Sequence, residues 1–435
     1  MRPLSPRHAT LAAAMALGLT AVTACGGSGA SDDGTLEIWS LEDEVLNPLL
    51  QETIDAYNEE NSGDDDVQLE LVTFQNDPYK ERLQVAMGSP EHPDVFFNWG
   101  GGNLAQYVEA GQVYDMSDHM DANPEFRDAF IPSVMDVVVI DDATYGVPML
   151  GTQPVSFFYN AAVFDAAGAE PPETFDELLD LVEVFEAEDV TPVALPGAAP
   201  WTLLMWVSYL VDRIGGPEVY QAISDGEDGA WEDPAVVETM ETVQELVDVG
   251  MFGTNYTAVD WDGGQATTLV AEGQAAMILM GPWFTQDAEA NAPEFFESGD
   301  LGWFPFPELE DGAGDPANVV GPPSNYFSIH AEASDPDAAL EWLTEYMASD
   351  SYVDGLIGSG AVPTVTGIDD KLAETDDGEF PTWLYERTME APTFTPAWDQ
   401  DLDPGVAESM LTNFSLVFEQ EMSPEEFAES MEATS

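Results

Sequence analysis

An α/β fold built from more than one packed unit is what the sequence predicts. Apolar residues switch between period two and the helical period over residues 35–97, the chain runs to 435 residues, and 44% of it is hydrophobic. That length is about three times the ~150 residues of an ordinary domain. The apolar content is ample for a core and excludes an intrinsically disordered chain.

Each element follows from its local pattern. Residues 35–39 (TLEIW) alternate and open the folded part as a strand. Residues 45–60 carry Leu46, Leu49, Leu50, Ile54 and Tyr57 on one helical stripe. Residues 67–74 alternate again, 78–87 read as a helix, and 93–97 (PDVFF) as a short buried strand. Strand, helix, strand, helix, strand predicts a parallel sheet. Further helices are expected at 103–110, 173–188, 202–213, 217–224, 234–249, 265–272 and 336–348, and near 382–389 and 404–419. Short strands are expected at 145–149, 155–159, 276–280, 301–304 and 325–330. Pro and Gly punctuate the connections, as in Gly321-Pro322-Pro323-Ser324, and no repeat of 20–50 residues is present.

The first 24 residues read as processing. Arg2, Arg7 and His8 precede an apolar run from Leu11 to Val22, the pattern of a secretory signal. The run is shorter than the ~20 apolar residues that span a bilayer. Val22-Thr23-Ala24-Cys25 followed by two glycines looks like a bacterial lipobox, so Cys25, the only cysteine, is expected to be acylated. Two or more acyl chains anchor stably where one is marginal. Residues 25–34 then form a flexible tether, and the expected location is the outer face of the cytoplasmic membrane.

Charge narrows the partners. Eight basic residues against 85 acidic ones give a formal net charge of −77. So negative a surface repels phosphate backbones, which argues against nucleic acid. The acids are interleaved with apolar residues, as in residues 175–185, and form solvated helix faces rather than a tail. A saline or alkaline habitat is the expectation. A calcium-coated surface is the competing reading, with no EF-hand loop to support it.

Searches for chemistry return little. There is no Gly-x-Ser-x-Gly elbow, and Gly100-Gly101-Gly102 lacks the Lys and Ser/Thr of a phosphate-binding loop. Carboxylates are so numerous that a glycosidase pair carries no information. One cysteine and scattered histidines leave no metal site, and no cofactor is expected. Tryptophans stand out instead. Of eleven, several lie in loops: Asn98-Trp99-Gly100, Pro200-Trp201, Pro282-Trp283 and Ala397-Trp398-Asp399. A flat indole offers its face to the C–H side of a pyranose while nearby amides and carboxylates take the hydroxyls.

These residues bring a resemblance. From about residue 35 to 430 the chain resembles the family 1 extracellular solute-binding proteins, lipoprotein receptors of sugar-importing ABC transporters. Residues 93–103 (PDVFFNWGGGN) with Tyr107-Val108-Glu109-Ala110-Gly111, and Tyr145-Gly146-Val147-Pro148 with residues 157–160 (FFYN), carry it. Residues 272–283 (EGQAAMILMGPW) are the most specific stretch. Residues 303–307 (WFPFP), 335–343 (DPDAALEWL), 398–400 (WDQ), Phe418 and 423–426 (SPEE) follow in the expected order. Departing from the family, the chain lacks its basic surface residues.

The resemblance implies a two-lobed, type II-like binding-protein fold with discontinuous lobes joined by a hinge. One lobe would hold 35–148 and 326–370, the other 149–325 and 371–435. A short oligosaccharide would lie between them, the ABC permease subunits would read the closed form, and a monomer is expected. Carried over by position, Trp99 and Gly100 sit at the cleft edge of lobe one, with Asn76 and Asp77 beside them. The competing role for Asp77 is a helix N-cap. Trp283 comes from lobe two, Asn325 from a crossing, and Trp398 and Asp399 from the C-terminal piece. Glu44, Gln153 and Trp201 are further candidates, while Trp39 and Trp342 are assigned to the core. A receptor for another neutral polyhydroxylated solute, or a secreted glycoside-processing enzyme, are the alternatives.

Overall fold

Alternation in Thr35–Leu41 buries Leu36 and Ile38 and makes this strand the hub of a five-stranded sheet. The computed structural model describes residues 34–43, 46–63, 66–375 and 379–434. The sheet order is Gln68–Phe74, Thr35–Leu41, Val95–Asn98, Tyr326–Ile329, Val147–Pro148. The first three strands run parallel, with Leu36 opposite Leu69 and Ile38 opposite Val95. Their crossover helices, Leu46–Glu60 and Asn76–Ala86, supply Leu50, Ile54, Tyr79 and Leu83 to the core.

The purely parallel sheet expected from the sequence needs correction. Tyr326–Ile329 returns from far downstream, with Tyr326 228 residues after Asn98, and pairs antiparallel with both neighbours. Burial on both faces is what such an interior position demands, and all four of its residues are buried.

A second sheet has the order Leu301–Phe304, Ser156–Asn160, Ala275–Met280, Thr191–Val193. Ser156–Asn160 is antiparallel to both neighbours, and Thr191–Val193 is parallel to Ala275–Met280. All six residues of Ala275–Met280 are buried, as a central strand requires. Helix Phe175–Ala187 is fixed at its start by a capping box between Thr174 and Glu177. Helix Trp201–Gly215 is almost wholly buried beneath Pro234–Asp248 and Pro404–Phe418. Its Arg213 is buried against Asp212 and donates through its two terminal nitrogens to the carbonyls of Asp315, Pro316 and Asn318, which offsets the cost of burying the charge, while Nε has no partner among the described residues. Helices Pro336–Tyr346 and Asp350–Gly358 lie with the first sheet, where Trp342 Nε1 donates to Thr53 Oγ1.

The chain passes between the sheets in residues 149–155 and 321–325, and these segments are stitched together. Met149 N donates to Asn325 O, Gln153 N to Pro322 O, and Val155 N to Val320 O, at 2.8–3.1 Å. Gly151 and Gly321 permit this closeness, since an added Cβ would come within 2.5 Å of Val362 O and Gln153 O respectively. Two sheets sharing backbone-paired crossings form a hinge between two lobes. Short helices such as Ser117–Ala122 and Trp283–Asn291 escape the sequence pattern because tertiary burial rather than periodicity holds them. Pro424–Glu432, also unexpected, does carry local signals: a Ser423/Glu426 capping box and Phe427, Ala428 and Met431 on one face. Among the described residues no helix is long and apolar enough to cross a membrane.

Candidate functional site

Strand Val95–Asn98 delivers Trp99 to the space between the lobes, and the side chains behind it hold the indole in place. Phe97 and Tyr79 meet it edge-on, with centroids at 5.1 and 6.0 Å. The Lys80 ammonium lies 5.1 Å from its ring centroid. Facing this wall, the second lobe presents a cluster of three indoles. Trp201 stands 6.0 Å from Trp261 and 6.2 Å from Trp283. The Gly281-Pro282-Trp283 turn has a steric reason: the indole folds back over Gly281, where a Cβ would meet ring carbon Cζ3 at 2.0 Å.

These four tryptophans line one cavity of about 430 Å³, within the ~300–1,000 Å³ usual for small-molecule sites. Asn76, Asn47 and Gln75 line it from the first lobe, Gln286 and Asn291 from the second, and Gln153 and Asn325 from the crossings. Trp201 and Ser208 also line it, and Trp201 Nε1 and Ser208 Oγ are buried without a hydrogen-bond partner among the described residues. Buried donors of this kind need a partner.

Carboxylates complete the lining. Burial raises the Asp399 carboxyl above its usual range, opposed by the Lys80 charge. Burial likewise raises Asp287, although Thr267 Oγ1 and Asn291 Nδ2 donate to it and pull the other way. Asp262 is raised by burial and then by the charge of Asp77, whose backbone N–H donates to Asp262 Oδ2 at 3.4 Å. Two further contacts tie the lobes together. Asn103 Nδ2 donates to Asp399 O at 3.0 Å and Gln286 Nε2 to Ser359 O at 3.2 Å.

The family model for bacterial extracellular solute-binding proteins matches residues 43–353, well over half the chain. The chain belongs to that family. This solute-binding protein is 28% identical over 319 residues to the xylose/arabinose-binding protein XacG of Haloferax volcanii, covering 69% of this chain and 62% of that one. It is 25% identical to an uncharacterized ABC transporter extracellular-binding protein of Pyrococcus horikoshii, covering 79% and 77%. A second such protein from the same organism, 28% identical, is spanned over only 56% of its length. A structure solved in work on xylan utilization by Caldanaerobius polysaccharolyticus superposes with a TM-score of 0.81 at 26% identity, covering 92% of this chain and 99% of that one. A chitin oligosaccharide binding protein shares the fold at a TM-score of 0.77, with 22% identity and coverage of 92% and 97%.

In this solute-binding protein the structure brings together Asn76, Trp99, Gln153, Trp201, Trp283, Asn325 and Asp399. Three of the sequence-predicted residues fall elsewhere. Trp398 is a core residue: it is 1% exposed, stacked on Tyr220 at 4.6 Å and edge-on to Trp231. Gly100 is buried behind the wall. Its N–H donates to Asn98 Oδ1, and at φ +74° it turns the chain where a Cβ would strike Val137. Asp77 is exposed beside the cavity rather than lining it. It sits inside the first turn of Asn76–Ala86, where an acid complements the helix N-terminus, and Gln75 holds the cap position. Glu44 and Cys25 lie outside the described residues. Trp39 and Trp342 are core, as expected. Sequence reasoning missed Trp261 and Lys80. Trp261 carries the loop signature of the others, Asp260-Trp261-Asp262-Gly263, and Lys80 is conspicuous by the scarcity of cations.

Proposed function

We propose that this solute-binding protein is the carbohydrate receptor of an ABC importer, taking a short oligosaccharide between its lobes. One observation carries the reading: four indoles from separate parts of the chain surround a single cavity whose polar lining is supplied by amides and carboxylates. Indole faces match the C–H faces of sugar rings, and the polar groups match hydroxyls. The relative named for xylose and arabinose and the structural neighbour from xylan utilization support the same class of ligand.

Mechanistically, an open receptor offers Trp99 on one wall and Trp201, Trp261 and Trp283 on the other. A sugar that contacts both walls favours the closed state over the open one, and the difference in affinity is what drives closure. The permease subunits in the membrane then receive the closed form. No bond in the ligand is broken, so the carboxylates serve as hydrogen-bond acceptors. Cys25 holds the mature chain to the outer face of the membrane through its acyl groups, and the tether separates anchor from cleft.

A thermal-shift panel of mono- to tetrasaccharides, run in high salt, tests the reading. A ligand at 100 times its Kd adds about 2.7 kcal/mol to stability. No shift with any saccharide contradicts the proposal, and so does the appearance of new reducing ends during incubation. For the anchor, Cys25→Ser should abolish fatty-acid labelling and membrane retention while leaving ligand affinity unchanged.

A further inference from the structure

The cations of this chain are few, and five of those in the folded part have structural work. Arg127 pairs with Asp121 and Asp128, Arg213 with Asp212, and Lys371 with Asp350 and Asp354. Arg82 covers the rings of Trp39 and Phe74, and Arg387 donates to Pro316 O. Lys80 differs. In a protein with 85 acidic residues it forms no ion pair and no hydrogen bond among the described residues. Helix Asn76–Ala86 places it one turn after Asn76 on the cleft side, half-buried, with its ammonium over Trp99.

Its electrostatic partners lie across the cleft. Asp262 and Asp399, both from the second lobe, line the same cavity as Lys80, and its charge opposes the rise that burial gives their carboxyls. Around it the two walls are otherwise alike in sign. Glu42 and Asp43 line the cavity from the first lobe and Asp262, Asp287 and Asp399 from the second, while Asp77 and Asp260, beside the lining, add their charges next to Asp262. Closing such a cleft drives carboxylates together, and Asp77 and Asp262 already touch through the Asp77 N–H. Lys80 is the one cation lining the cavity among the described residues.

We propose that Lys80 is a positioning residue for closure: from the first lobe it offsets the carboxylates of the second and holds the Trp99 wall where both can meet the ligand. This rests on the receptor reading above. Without the ammonium, closure brings together only like charges, and the cost depends on their range. That range is ~10 Å at 0.1 M ionic strength and ~3 Å at 1 M. A group that attracts only through space loses its effect in salt, whereas a direct hydrogen-bond donor to the ligand does not.

The experiment is calorimetric titration of the full-length protein with the saccharide that gives the largest thermal shift, at about 0.1 M and about 1 M salt. Lys80→Gln should weaken binding roughly fivefold at the lower ionic strength, the scale of a partly exposed charge pair. Binding should return close to that of the wild type at the higher one. Lys80→Arg should bind like the wild type at both, and Asp77→Asn, which removes an exposed carboxylate facing Asp262 from outside the lining, should restore affinity in low salt when added to Lys80→Gln. A loss that persists in molar salt, or that Asp77→Asn fails to relieve, overturns the proposal in favour of direct ligand contact. Equal binding by wild type and Lys80→Gln overturns it outright. Small-angle scattering of the ligand-free proteins separates this from the receptor reading. Should the wild type bind no saccharide, that reading fails, yet Lys80→Gln must still show a larger radius of gyration than wild type in low salt and an equal one in high salt. Identical radii in both salts contradict the role of Lys80 whatever the ligand.

Discussion

Replacing Trp398 by alanine separates packing from binding. The indole is 1% exposed, stacked on Tyr220 at an interplanar angle of 18° and edge-on to Trp231, which in turn meets Phe427. Tyr220 also donates to Asp401 Oδ2 at 2.7 Å, so the stack ties helix Pro217–Ser224 to the C-terminal segment. Removing a buried tryptophan side chain from such a site costs about 3–5 kcal/mol in lost transfer energy and cavity formation. For a lobe-sized unit that lowers Tm by roughly 6–20 °C, at about 2–4 °C per kcal/mol. Calorimetric melting measures the loss, and a saccharide titration well below the transition measures what binding remains. Affinity should fall little, because the ring does not line the cleft. A Trp398→Ala protein with the Tm of the wild type but no saccharide binding would refute the placement and return this residue to the site.

Two other perturbations probe lobe closure and the acid response. Gly102→Ala puts a methyl 2.3 Å from Leu402 O, where the helix after Trp99 abuts the C-terminal segment. Overpacking of this kind costs about 1–3 kcal/mol, which here falls on closure. Saccharide affinity should therefore drop with Tm nearly unchanged, and a lower Tm with unchanged affinity would show that the contact serves folding instead. His330 is stacked on His92 at 3.7 Å, accepts from the Glu332 N–H, and is held below 6.5 by burial and then by the His92 charge. Its neutral form is the stable one in the fold, so its contribution is complete above pH 6.5 and is lost as pH falls through the lower folded value. Raised carboxyls such as Asp287 act with the opposite sign, so the comparison is between proteins. On acidification from about pH 7.5 to 5.5, His330→Gln should lose less Tm than wild type; an equal loss would remove His330 from the account.

Much of the fold was legible because its signals are local. Residues 35–97 announce three strands and two helices by periodicity, and all five are present in that order. Strand pairing was not legible, since the antiparallel position of Tyr326–Ile329 depends on a partner more than 200 residues away. The same limit governed the site. Trp398 and Trp261 carry nearly the same neighbours, a following Asp and a nearby turn, yet one packs on Tyr220 and the other opens onto the cleft. Only the tertiary neighbours decide between them: Tyr220 and Trp231 cover Trp398, whereas Trp261, in the loop before Gln265–Ala271, lies against Trp201 at the cavity. Trp99 and Trp283 were recognisable because glycines beside them, Gly100 and Gly281, mark backbone that must turn or be overlain by a ring.

The central claim is that sugar binds between walls of indole drawn from both lobes, and Trp283 tests it most directly. A calorimetric titration of wild type and Trp283→Ala with one oligosaccharide should show saturable one-to-one binding in the first. In the second it should be weakened by about 1–3 kcal/mol, or roughly five- to 150-fold in Kd, as for other aromatic stacking platforms and interface anchors. Tm should change little, because Trp283 is half-buried at the cavity edge. Binding of equal affinity in both proteins, or a Trp283→Ala protein that loses stability while binding normally, would contradict the account.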